Sequence, residues 1–301
     1  MRSIVVGYDG SEHALKAVEF AANEASSRQA PLRLVHAFPP PMGGAGLGYG
    51  MVLPADALET MRDSIAANLA TDVAELRTRF PDVDIDATVI VGNSAAALLE
   101  ESAQAQLLVV GSRGLGGFRG MLLGSTGIQI ASHSTCPAVV VRDLPEPDAK
   151  KVVVGLDGSE LSQAALAWAL DYASRHGLIL HAVHAWTLPS FDLLAAPAGP
   201  GSADLQTITE EEQRSAAESL AGFRDRYPDV TIEETVIKES AAKALLNAAK
   251  DAALIVVGTH GRGEVMAAVL GSVSQTLLRK ADVPVVVVGP DTGGADLGTG
   301  S

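Results

Sequence analysis

The chain is written twice. The ten residues from Lys151 to Glu160 repeat those from Ser3 to Glu12 at an offset of 148. Val35-His36-Ala37-Phe38 returns at the same offset as Val183-His184-Ala185-Trp186, while Phe80-Pro81-Asp82-Val83 returns as Tyr227-Pro228-Asp229-Val230 at 147. A chain that repeats along nearly its whole length is a duplicated domain, so whatever fold one half takes, the other must share. The one-residue change of offset falls near Thr187 to Ala203, the counterpart of a proline- and glycine-rich run from Pro39 to Pro54. Such a run is too long for an ordinary connector. With 301 residues and 47% hydrophobic content, each half is large enough to bury its own core.

Within the first half, short β-branched runs alternate with helical patterns. Ser3 to Tyr8 reads as a strand buried on both faces, and Ser11 caps a helix with apolar residues at Ala14, Leu15, Val18, Ala21, Ala22 and Ala25. Strands follow at Leu32 to Phe38, Ile85 to Val91, Leu107 to Gly111 and Ala138 to Arg142. Helices fill the intervals, from about Asp56 to Arg79, from Ser94 to Gln104 and from Gly124 onward. Strand–helix alternation over this length means an α/β fold with a parallel sheet. The expected layout is a first domain over 1–143, a linker over 144–150, a second domain over 151–290 and a disordered glycine-rich tail over 291–301.

The fourth strand runs into a glycine-rich loop and then a helix. Two residues separate Gly111 from Gly114, nine separate Gly114 from Gly124, and Ser125 follows; Gly258, Gly261, Gly271 and Ser272 repeat that spacing. Backbone N–H groups of such a loop, with those of a helix's first turn, form a nest for phosphate. In a doubly wound sheet, ligands sit beyond the carboxyl ends of the strands where strand order reverses. A carboxylate on the first strand (Asp9, Asp157) and a nest after the fourth would bracket a nucleotide. Asp-Gly-Ser also suits a turn and helix cap, and Ser125 and Ser272 suit caps as well.

These spacings resemble the G-2x-G-9x-G-(S/T) signature of ATP-binding universal stress proteins, and the two-domain layout is similar to the tandem members of mycobacteria and related actinobacteria. The resemblance implies two Rossmann-like domains, each a five-stranded parallel sheet of order 3-2-1-4-5. It also implies that Gly7, Asp9 and Ala37 surround adenine and ribose, that Gly111, Arg113 and Gly114 line ribose and phosphates, and that Gly124, Ser125 and Thr126 offer N–H and hydroxyl groups. The matching residues of the second half are Gly155, Asp157, Ala185, Gly258, His260, Gly261, Gly271, Ser272 and Val273. The implied cofactor is ATP with Mg²⁺ held by its phosphates, with ADP or AMP as alternative residents. The implied function is a nucleotide-dependent stress-response sensor or regulator. Family members pair domains through the last strand, here Ala138 to Val141 and Val285 to Val288, which implies an internal pseudo-dimer and a homodimer of tandem chains.

Charge separates the two halves. The first loop carries Arg113 and Arg119; the second has His260 and Met266 at those positions, and Glu264 for Gly117, offset in part by Arg262. Val91-Gly92-Asn93 becomes Lys238-Glu239-Ser240. Weaker nucleotide binding in the second half is expected. A net charge of −14 argues against nucleic acid and anionic membrane as partners. No apolar run approaches the length of a membrane span, Met1-Arg2 leads straight into the first strand without a signal peptide, and Cys136 is the lone cysteine, so a cytoplasmic location is expected. No P-loop, G-x-S-x-G or metal-ligand cluster occurs, and no general base presents itself. A slow ATPase working through Mg²⁺, Arg113 and Arg119, or a nucleotide-free interaction module, are the rival readings. His36 and His184 are expected to satisfy nearby carbonyls, and Cys136 to pack.

Overall fold

The computed structural model describes residues 2–40, 55–115, 123–188, 202–261 and 270–290. The chain divides into two compact units, Met1–Arg142 and a second beginning at Asp143. The first contains β1 (Ser3–Gly7), α1 (Glu12–Arg28), β2 (Leu32–Phe38), α2 (Ala55–Arg79), β3 (Ile85–Val91), α3 (Ser94–Ser102), β4 (Ala105–Gly111), α4 (Ser125–His133) and β5 (Ala138–Val141). The second contains β6 (Lys151–Leu156), α5 (Glu160–His176), β7 (Ile179–Trp186), α6 (Ser202–Leu220), a one-turn α7 (Phe223–Arg226), β8 (Ile232–Lys238), α8 (Ala241–Ala248), β9 (Ala252–Gly258), α9 (Ser272–Lys280) and β10 (Val285–Val288). Most of the Pro39–Pro54 run, its counterpart up to Gly201, the tail, Gly117, Arg119, Arg262, Glu264 and Met266 lie outside the described residues.

Strand order in the first unit is β3-β2-β1-β4-β5 and in the second β8-β7-β6-β9-β10, the 3-2-1-4-5 order in each. All described pairings within the units are parallel. The central strands are apolar on both faces because helices cover both: Ile4, Val6, Leu107, Leu108 and Val109 are each 0% exposed. Each such side chain contributes roughly 1.5–3 kcal/mol by leaving water. β4 begins at Ala105, two residues before the start read from the sequence. The register against β1 slips there, with Ser3 opposite Ala105 and Ile4 opposite Leu107, so Gln106 is a bulge. The second unit repeats the slip between Lys151 and Val152.

The first helix of each unit is capped as the sequence requires. Ser11 Oγ accepts the Ala14 N–H at 3.2 Å, and Ser159 Oγ accepts the Ser162 N–H at 3.2 Å. α1 ends on Gln29 in the left-handed region (φ 50°), α5 on Gly177 (φ 62°). Cys136 is buried before β5, and burial pushes its thiol up to about 11. Among the described residues no helix is long and apolar enough to cross a membrane.

Candidate functional site

The reversal of strand order falls between β1 and β2 on one side and β4 on the other, so the chain leaving β1 and the chain leaving β4 diverge and open a crevice. Asp9 leaves β1 in a tight turn whose next residue, Gly10, has φ +79°. Its Oδ1 accepts the Ser11 N–H at 3.0 Å. Its Oδ2 reaches across the crevice and accepts the Leu115 N–H at 2.9 Å. The turn-and-cap role of Asp-Gly-Ser and a role in the loop after β4 therefore coexist on one carboxylate. In the second unit Asp157 Oδ1 accepts both the Ser159 N–H (2.9 Å) and the Ser159 hydroxyl (2.6 Å).

The glycines are explained by what presses on them. A Cβ on Gly114 would overlap Asp9 Oδ2, and one on Gly261 would overlap Asp157 Oδ2. A Cβ on Gly111 would lie 2.7 Å from the His13 backbone carbonyl. Gly7 leaves room for Leu98 of α3 and Val110 of β4, as Gly155 does for Leu245 of α8 and Val257 of β9. Neither α4 nor α9 is capped by a side chain: their N-caps are Gly124 and Gly271. The expectation that Ser125 and Ser272 are caps is thus corrected, since both are already the first helical residues. The consequence for a ligand is that first-turn N–H groups, which have no intrahelical acceptor, keep their hydrogen-bonding capacity.

All nine residues singled out in the first half line one cavity of about 490 Å³, although they come from β1, β2, the loop after β4 and the start of α4. All nine from the second half line another of about 270 Å³. Sequence reasoning missed the rest of the walls. The first cavity is also bounded by Tyr8, His36, Phe38, Ser94 and Leu98, the second by Leu156, Ala241, Leu245 and Ser274. Leu98 and Leu245 share the 147 offset, so the repeat itself carried that signal.

The walls differ in chemistry. Tyr8 donates its phenolic O–H to Asp72 Oδ2 of α2 at 2.9 Å; burial, reinforced by the Asp72 carboxylate, pushes Tyr8 up to about 12. Burial lowers the pKa of His36 against the opposing pull of the Asp9 carboxylate and the Tyr8 backbone. His184 departs from the carbonyl-satisfying role expected of it. Its Nε2 lies 2.6 Å from Glu212 Oε2 of α6, a side-chain partner in place of a carbonyl. In the second unit Leu156 takes the place of Tyr8. Among the described residues no group of three or more histidine, cysteine or acidic side chains is arranged to hold a metal.

Comparison with known proteins identifies the family and the fold. The profile of the universal stress protein family matches residues 1–142 and again 149–289. Universal stress protein Rv2623 of Mycobacterium tuberculosis is 35% identical over 294 residues, covering 94% of this chain and 95% of that one. A universal stress protein of Mycolicibacterium smegmatis is 36% identical over 293 residues, covering 95% and 97%. A crystal structure of a universal stress protein from Archaeoglobus fulgidus has a TM-score of 0.67 at 20% identity, covering 95% of this chain and 98% of that one, which speaks to the fold.

Proposed function

The chain belongs to the universal stress protein family, and we propose that it is an ATP-binding, nucleotide-dependent regulator of a stress response acting in the cytoplasm. One observation carries the reading: an acidic turn after the first strand, the glycine-bearing start of the loop after the fourth and an uncapped helix start meet in one cavity, and do so in both units. A nucleotide needs that combination. Its hydroxyls call for an acceptor, which Asp9 and Asp157 supply; its phosphates call for N–H donors without intervening side chains, which Gly111–Gly114 with Ser125 and Thr126, and Gly258–Gly261 with Ser272, supply. Ala37 and Ala185 leave flat, small walls for a base. When bound, ATP would supply a polyphosphate whose charge Arg113 would offset, with Mg²⁺ held by those phosphates. The residues orient the nucleotide; none is assigned a proton-transfer role.

The test is direct. Native mass spectrometry and acid extraction of the purified chain should release adenine nucleotide, and calorimetric titration of stripped protein with Mg-ATP should show saturable binding. Failure of both, in protein with a native melting profile, would refute the reading. The homodimer of tandem chains belongs to the same proposal, and light scattering at several concentrations reads it.

A further inference from the structure

Arg113 is held from two sides by the first turn of α1. Its guanidinium Nε donates to His13 Nε2 at 2.9 Å, and the Ser11 hydroxyl lies 3.3 Å from its backbone carbonyl. Since arginine supplies the proton of the first bond, His13 Nε2 is unprotonated and Nδ1 carries the hydrogen, directed at the Arg142 carbonyl 3.3 Å away. The guanidinium of a residue that lines the cavity is thereby tied to α1 before any ligand arrives. Pre-orientation of this kind turns a mobile cation into a directional donor for phosphate.

Among the described residues the second unit does not repeat this brace. Leu161 stands where His13 does, and His260 stands for Arg113. His260 Nδ1 pairs with its neighbour, the Thr259 hydroxyl, at 3.1 Å, and the Ser159 hydroxyl donates to Asp157 instead of to the loop. Val273 replaces Thr126 at the helix start, and the cavity is smaller.

We infer that the two cavities discriminate differently by phosphate number: the first selects nucleoside polyphosphates over monophosphates through Arg113 held by the positioning residue His13, and the second accepts both with little preference. This rests on the nucleotide reading above. A charge-assisted bond from Arg113 at the first site, where the second has His260, sets the expected difference at about tenfold in the ATP-to-AMP affinity ratio.

Photolabelling of the full chain with 8-azido-ATP, chased by ATP or AMP, reads each half separately once labelled peptides are mapped. Labelling of the first half should be chased by about tenfold less ATP than AMP, and labelling of the second by similar amounts of each. The same ratio in both halves overturns the inference and leaves the nucleotide reading intact. No saturable labelling of either half overturns both. His13→Leu, which copies the second unit, should lower the first-half ratio several-fold while AMP affinity holds, and His13→Gln should restore part of it. A loss of ATP and AMP affinity in equal measure would mean that His13 has only a structural role, and would overturn its assignment.

Discussion

Substituting Gly114 with alanine tests the reason given for the loop. The new Cβ would fall on Asp9 Oδ2, the same oxygen that accepts the Leu115 N–H at 2.9 Å. Gly114 has no left-handed φ, so an alanine there is not strained by its own backbone. Either the carboxylate rotates away or the loop lifts, and both lose that bond. A hydrogen bond to a charged group contributes about 1.5–3 kcal/mol when buried, but this one is exposed and water replaces it in part, leaving about 1 kcal/mol. Thermal unfolding of Gly114→Ala should therefore fall by only a few degrees, about 2–4 °C for a unit of this order. Nucleotide affinity should suffer more, about tenfold, because the lifted loop carries the N–H groups proposed to hold phosphate. A double-mutant cycle with Asp9→Ala isolates the cause. Once the carboxylate is gone, alanine at 114 should be neutral or slightly stabilising, giving a coupling near 1 kcal/mol. Additive losses in melting temperature would refute the steric account.

Two further outcomes follow from the perturbed side chains. Tyr8 has a raised pKa in the folded state, so its contribution to stability is complete below the ordinary tyrosine value near 10 and is lost as pH rises toward about 12; alkaline denaturation followed by circular dichroism should show that slope, and Tyr8→Phe should remove it. Cys136, buried and pushed up to about 11, should react with Ellman's reagent at pH 8 only as the protein unfolds, and complete labelling of the native protein within minutes would contradict its placement.

Much of the fold was legible because the local signals are strong and written twice. Ser11 and Ser159 announce helix starts, and the valine-rich runs can only be strands buried on both faces. The strand order came from the resemblance; no local pattern reports which strands are neighbours. The candidate site was legible as far as glycine spacing carries it, since a missing Cβ is visible in a sequence. What remained hidden were contacts made by ordinary side chains across long separations. Tyr8 meets Asp72 and His13 meets Arg113, 64 and 100 residues apart. Neither pair follows any spacing rule; packing alone brings them together. The partner of His184 was misread for the same reason: Glu212 lies on a helix whose rotation against the sheet is not encoded in either segment by itself.

The glycine that ends β1 has a wider effect than its own turn. Because Gly7 and Gly155 offer no side chain, Leu98 and Leu245 press down onto the sheet beside Val110 and Val257. The floor of each crevice is then core, held by the same close contacts that keep the unit folded. A ligand settling there does not have to carve its own space, so its arrival should alter the breathing of the rim more than that of the floor. Amide exchange of β1 and β6 ought to be almost indifferent to occupancy. A duplicated chain built this way can change the chemistry of one rim, as the replacement of Tyr8 by Leu156 and of Arg113 by His260 illustrates, without reopening the problem of how either half folds.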